Sequence, residues 1–133
     1  MSPQDKIDVE SAGAPRLKVL LVEDEVLIRM DVADSLRAAG WDVVEAGTVG
    51  DALTALKTES FDLVLTDVHL PGDLTGLDLA RIVTQTSPEV KVVVMSGQHV
   101  PADDETIFFQ AFLSKPVFDV AGTLRRLVES KNS

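Results

Sequence analysis

Short, almost continuously apolar runs at 17–22 (LKVLLV), 61–66 (FDLVLT) and 91–95 (KVVVM) alternate with longer segments in which apolar residues recur at helical spacing. A run of this length that does not alternate polar with apolar residues fits a strand covered on both faces. Strands of that kind, separated by helices, form a parallel sheet through right-handed crossovers, with helices packed on either side. Two shorter apolar pairs, Val43-Val44 and Phe112-Leu113, supply a second and a fifth strand. The pattern predicts a doubly wound α/β domain built on a five-stranded parallel sheet.

The first helix is expected over about 26–39, ending at Gly40, with Ile28, Val32, Leu36 and Ala39 on its core face. Thr48 caps the second, with Asp51 three residues on as in a capping box and an apolar stripe of Val49, Ala52, Leu53 and Leu56. A loop, HLPGDLTG, leads into a third helix that carries Leu79, Ile82 and Val83 and stops at Ser87-Pro88. The last helix runs over about 119–130, with Val120, Leu124, Leu127 and Val128 at helical spacing. Residues 1–15 are rich in Ser, Ala, Gly and Pro and lack periodicity, so they read as a flexible tail before a domain at 16–133.

With aromatics at only 5% of 133 residues, the core must be built from Val, Leu, Ile and Ala. The absence of cysteine removes disulfides, thiolate metal sites and cysteine nucleophiles together. No apolar run approaches the roughly 18 residues of a membrane helix, and the first residues do not read as an export signal. The reading is a soluble, cytoplasmic chain without membrane contact. A net charge of −10, with no basic cluster beyond Arg125-Arg126, argues against nucleic-acid binding.

In an open parallel sheet, ligands sit beyond the carboxyl ends of the strands, where strand order reverses. The first strand is followed by Glu23-Asp24, the third ends in Thr66-Asp67, the fourth in Ser96-Gly97 and the fifth in Ser114-Lys115-Pro116. Singly, each is an ordinary cap or loop residue. The fold brings them to one edge. Two carboxylates about 4 Å apart repel by roughly 4 kcal/mol at an effective dielectric of 20, so three need a cation. An oxygen-only donor set suits Mg²⁺ (or Mn²⁺). A carboxylate beside such an ion and a lysine can attack phosphorus and form an acyl phosphate. Ser96, Lys115 and backbone N–H groups after Asp67 can then donate to the phosphoryl oxygens.

Glu23-Asp24, Asp67 with Pro71 four residues on, Ser96-Gly97, Phe112 and Lys115-Pro116 resemble the signature of bacterial response-regulator receiver domains, over 17 to about 130. The resemblance implies a flavodoxin-like strand order, 2-1-3-4-5, and a phosphorelay module whose phosphoacceptor is Asp67. It implies that Asp24 binds the metal directly, Glu23 through water, and that the main-chain carbonyl of His69 completes the protein ligands. Ser96 is then the switch hydroxyl, Phe112 the switch aromatic, and the Lys115–Pro116 bond is cis. His69 and Gln98 would flank the phosphoryl group and tune its hydrolysis. The implied donor is a histidine kinase or histidine phosphotransfer protein, and the output a contact with an unknown downstream protein. Val26, Leu27, Met30 and Ala33 form a second apolar strip on the first helix; of these, Val26, Leu27 and Met30 are expected to meet the kinase.

Two departures stand out. The segment 71–76 is one residue longer than in common receivers, and 96–115 is several residues shorter, so a short or irregular fourth helix is expected there. Phe108 and Phe109 read as core, and Phe112 stays open between core and switch. His69 and His99 lack a third nitrogen or sulfur ligand for a transition metal. A Mg-dependent phosphatase of the haloacid-dehalogenase type needs a second Asp two residues after the nucleophile, where His69 stands. A receiver-like module that works without phosphorylation would have no reason to carry all five polar residues. A dinucleotide-binding domain would follow its first strand with glycines, not Glu-Asp-Glu. With no output domain in the sequence, the reading is a stand-alone receiver or a piece of a larger regulator or hybrid kinase, and the starting Met with its tail favours the stand-alone form.

Overall fold

The structure, a computed structural model, describes residues 16–97, 109, 111–115 and 119–132. In chain order it contains β1 (Lys18–Val22), α1 (Val26–Ala38), β2 (Asp42–Ala46), α2 (Val49–Thr58), β3 (Leu63–Asp67), α3 (Gly76–Thr86), β4 (Lys91–Ser96), β5 (Ala111–Ser114) and α4 (Val120–Asn132). The strands are all parallel and lie in the order β2-β1-β3-β4-β5. The expected tail at 1–15 and the short fourth helix between β4 and β5 fall outside the described residues.

Burial follows strand position. All five residues of β3 are buried, because β1 and β4 flank it and helices cover both faces. At the edge, β2 is covered only in part, exposing Asp42 and Glu45 while burying Val43 and Ala46. On one face Leu20, Val22, Val64, Val92 and Val94 pack against α2 and α3 through Ala52, Leu79 and Val83. On the other, Val19, Leu21, Leu63, Leu65 and Val93 meet Leu36 of α1 and Leu124 of α4. Each fully buried Val or Leu is worth roughly 1.5–3 kcal/mol, so the two-sided central strands carry most of the hydrophobic stabilisation.

α1 ends as its Gly40 predicts. Gly40 takes φ +94°, its N–H donates to the Arg37 carbonyl at 3.0 Å, and the Trp41 N–H donates to the Leu36 carbonyl at 3.0 Å. Those are the two bonds of a Schellman ending, and Trp41 and Leu36 enter the same core cluster. The helix is rotated relative to the expected face. Ala33 and Leu36 are buried and Ala39 is exposed, so Ala33 belongs to the core rather than to the outer strip. Ala33 carries only a methyl group, which lets α1 lie close to the sheet, whereas Ala39 is already the cap residue.

Of the expected capping box at Thr48, one half forms: its side chain accepts from the Asp51 N–H at 3.0 Å. The reciprocal box occurs instead at Thr75 and Asp78, at the start of α3. It fixes the helix that follows the loop after Asp67.

Candidate functional site

The chain runs from β1 outward to β2 and returns across β1 to β3, so the strand order reverses between β1 and β3. Their carboxyl ends deliver Glu23 and Asp24 on one side and Asp67 on the other. Carboxylate oxygens of these three residues lie within 4.8 Å of one another. Glu23 is fully buried and Asp67 is 6% exposed, while Asp24 faces solvent. The three therefore form a cleft with one open side.

Lys115, just past β5, reaches back across β4 into this cleft. Its Nζ donates to Glu23 Oε1 at 2.6 Å and to Asp67 Oδ2 at 2.9 Å. Its main chain is tied to β4 as well, since the Lys115 N–H donates to the Ser96 carbonyl at 2.9 Å. Burial disfavours the Lys115 ammonium, but its hydrogen bonds to Glu23 and Asp67 and their negative charges outweigh that and raise its pKa above the ordinary lysine value. It stays charged at neutral pH. Burial pushes the Glu23 carboxyl up, against the opposing hydrogen bonds from Lys115 and the Glu25 N–H.

The Asp67 side chain also accepts from the His69 N–H, at 3.3 Å to Oδ1. A backbone donor therefore already points at the carboxylate from the loop after β3. Behind it, the buried Thr66 hydroxyl donates to the Asp67 main-chain carbonyl at 2.9 Å. Asp24, Glu25, Asp67, His69, Gly97 and Lys115 line a cavity of about 310 Å³ above these groups. Ser96 is buried at the end of β4, one strand over from Asp67. Phe112 on β5 is half-buried and packs with Phe109, ring centroids 6.5 Å apart, against the cluster beneath α2 and α3.

The structure thus gathers Glu23, Asp24, Asp67, His69 and Lys115 into one site, with Ser96 on the adjoining strand end. Gln98, Pro116 and the Lys115–Pro116 bond lie outside the described residues, as do His99 and Phe108. Val26, Leu27 and Met30 are 54%, 81% and 51% exposed at the start of α1, as the outer strip predicts. Sequence reasoning overlooked Thr66, Gly76 and Arg29. The Thr75–Asp78 box was legible as T-x-x-D but was hidden by the turn residues before it.

A donor set of three carboxylates, without sulfur or imidazole, fits a hard divalent cation such as Mg²⁺. The lysine opposite makes the same cleft attractive to an anion once the cation is bound.

Comparison with known proteins agrees with this geometry. Residues 19–123 match the family described as response regulator receiver domain. The transcriptional regulatory protein PdtaR of Mycobacterium tuberculosis (strain CDC 1551 / Oshkosh) is 35% identical over 108 residues, which cover 79% of this chain and 52% of PdtaR. The chain thus spans about half of that relative's length. The chemotaxis response regulator CheY4 of Vibrio cholerae superposes with a TM-score of 0.76 at 27% identity, covering 85% of this chain and 99% of CheY4. A CheY-like receiver domain protein from Methanospirillum hungatei JF-1 shares the fold, with a TM-score of 0.78 at 23% identity over 89% of this chain and 98% of that one. A parallel sheet whose switch point gathers an acidic pair, an aspartate and a lysine, in a chain matched over 19–123, places it in a family of phosphorylation-dependent signalling modules: the chain belongs to the response regulator receiver domain family of two-component systems.

Proposed function

We propose that Asp67 accepts a phosphoryl group from a phosphohistidine of a histidine kinase or histidine phosphotransfer protein, and that the product switches a contact with a downstream protein. The single observation that carries this reading is Lys115 Nζ bridging Glu23 and Asp67 beside Asp24. In the transfer, an Asp67 carboxylate oxygen forms a bond to phosphorus as the bond from phosphorus to the imidazole nitrogen breaks, and solvent returns a proton to the imidazole. Lys115 and the His69 N–H stand ready to donate to the phosphoryl oxygens, and Ser96 supplies a hydroxyl from the next strand.

Asp24 and Asp67 would hold Mg²⁺ (or Mn²⁺) directly, with Glu23 behind them through water and the His69 carbonyl as a further ligand. Bound there, the ion supplies positive charge that offsets repulsion between the carboxylate and the incoming phosphate. Ser96 moves toward the phosphoryl group and Phe112 turns inward behind it, which shifts an existing equilibrium. The side chains of His69 and Gln98 set the rate of attack by water. The chain catalyses only its own phosphorylation and dephosphorylation.

The kinase is met through Val26, Leu27 and Met30. Beside them a largely apolar groove of about 440 Å³, lined by Leu27, Ile28, Val32, Met95 and Val120, also includes Asp31 and Lys115. The reading also includes a cytoplasmic location; among the described residues no helix is long and apolar enough to cross a membrane. Incubation with a small acyl-phosphate donor and Mg²⁺, followed by mass spectrometry, tests the phosphoacceptor. Wild type should gain one phosphoryl group and Asp67→Asn none; gain by the variant, or by neither protein, overturns the proposal.

A further inference from the structure

Among the described residues, α1 is the helix whose entry turn carries acidic residues of the site, yet the side chain of its N-cap residue does not hold that turn. Glu25, the N-cap residue, makes no side-chain capping bond, whereas Thr48 and Thr75 cap α2 and α3. The turn must keep Glu23 and Asp24 fixed although their charges and that of Asp67 repel. The Glu25 N–H donates to Glu23 Oε2 at 3.2 Å, which ties the side chain but leaves the Glu23 carbonyl to another partner.

Arg29 lies in the first full turn of α1, and side chains on a helix lean toward its N-terminus. Its guanidinium reaches back six residues, and Nη1 donates to the main-chain carbonyl of Glu23 at 2.8 Å. Its Nε donates to Glu45 Oε1 on the neighbouring strand β2 at 3.3 Å. Glu45 in turn pairs with Arg37 at 3.1 Å through its other oxygen. The same turn is tied to β2 through the main chain, since the Glu23 N–H donates to the Ala46 carbonyl at 3.0 Å. Gly47 leaves the passage open: a Cβ there would come within 3.0 Å of Arg29 Nη1. The Arg29 side chain is only 21% exposed, so this is a seated contact rather than a loose surface pair.

We infer that Arg29, anchored by Glu45, is a positioning residue for the metal-binding pair Glu23-Asp24, an inference that rests on the proposed Mg²⁺ site. Planar and forked, the guanidinium spans a carbonyl and a carboxylate at once, which an ammonium does less well. By bonding the Glu23 carbonyl it sets the direction in which the chain leaves β1, and with it where the Glu23 and Asp24 side chains enter the cleft. Outer partners of this kind typically change metal affinity by about 10–100-fold when removed.

The test is calorimetric titration of the unphosphorylated protein with Mg²⁺ alone, each variant first shown to be folded by circular dichroism. Wild type should bind, and Arg29→Ala should bind at least about tenfold more weakly. Arg81→Ala, which makes the same charge change at an exposed position of α3, should match wild type. Arg29→Lys and Glu45→Gln keep the size of each side chain and should each weaken binding about threefold or more, and they decide the matter if Arg29→Ala does not fold. Wild-type affinity in Arg29→Ala, or in both conservative variants, overturns the role of Arg29. Equal weakening in Arg81→Ala also overturns it, by making the effect one of net charge. Absence of Mg²⁺ binding by wild type instead removes the underlying site.

Discussion

A Cβ atom placed on Gly76 would lie 1.8 Å from the main-chain oxygen of Asp67. The first residue of α3 therefore packs directly against the backbone of the candidate phosphoacceptor. The contact is held from both sides, since the Gly76 N–H donates to the Val68 carbonyl at 2.8 Å and the Thr66 hydroxyl donates to the Asp67 carbonyl. Backbone cannot move aside as a flexible side chain can. Gly76→Ala should cost at least about 2 kcal/mol in urea unfolding. The folded fraction should also take up phosphate from a small acyl-phosphate donor more slowly than wild type. An unchanged urea midpoint would show that α3 shifts freely and does not fix Asp67.

The box at Thr75 and Asp78 fixes the same helix end and has a pH signature. The Thr75 N–H holds the Asp78 carboxyl below its ordinary value of 3.8, against a smaller opposing effect of burial, with help from the Thr75 hydroxyl and Arg81. A lowered folded pKa means that the stabilisation is present above the ordinary value and is lost as pH falls through the folded one. Asp78→Ala should therefore cost about 1 kcal/mol at pH 7. The gap to wild type should narrow as the pH falls below the ordinary value. Urea midpoints across that range check it, and a constant gap would mean that the carboxylate charge is irrelevant.

Lys115 is the fixed cation within the acidic cleft, and its removal should expose the repulsion it now offsets. In a chelator, Lys115→Ala should lose about 2 kcal/mol, because Glu23 and Asp67 each lose a charged partner. A ligand of the native state at one hundred times its dissociation constant adds about 2.7 kcal/mol. Mg²⁺ should thus raise the unfolding midpoint of both proteins. It should raise that of Lys115→Ala more, since a divalent ion enters more readily where no ammonium competes. Thermal unfolding with and without Mg²⁺ measures both effects; a smaller gain for the variant would contradict this account of the cleft.

The parts of the fold that were legible in the sequence are those set by burial on both faces. The near-continuous apolar runs of β1, β3 and β4 are short and rich in Val and Leu, as covered strands are, and Asp67, Ser96 and Lys115 stand at strand ends, where an open parallel sheet places its ligands. The rest depended on distance between elements. Arg29 meets Glu45 only because β2 lies beside β1, and no local spacing announces that pairing. Gly76 looked like a turn residue in HLPGDLTG; its need for a bare Cα arises from a loop that returns to the backbone it left. Ala33 and Ala39 were exchanged because a methyl group is a weak marker of a helix face, and the Schellman ending, with Leu36 and Trp41 in one core cluster, sets the rotation.

The exposed start of α1 separates two ways of delivering phosphate. Leu27 is 81% exposed and Met30 51%, a costly arrangement for a chain that never covers them. Both lie on the helix that leaves the acidic pair, and the groove beside Leu27 includes Lys115. On the proposed docking, a protein donor buries this strip as it brings a phosphohistidine to Asp67, whereas a small acyl phosphate does not. Met30→Glu and Leu27→Glu should therefore slow phosphotransfer from a histidine kinase by about tenfold or more, the equivalent of roughly 1.4 kcal/mol of lost contact. Phosphorylation by the small donor should stay within about twofold of wild type, because neither side chain is among those lining the cleft above Asp67. Equal loss with both donors would place the defect in the fold rather than in docking, and loss with neither would assign the strip to another partner.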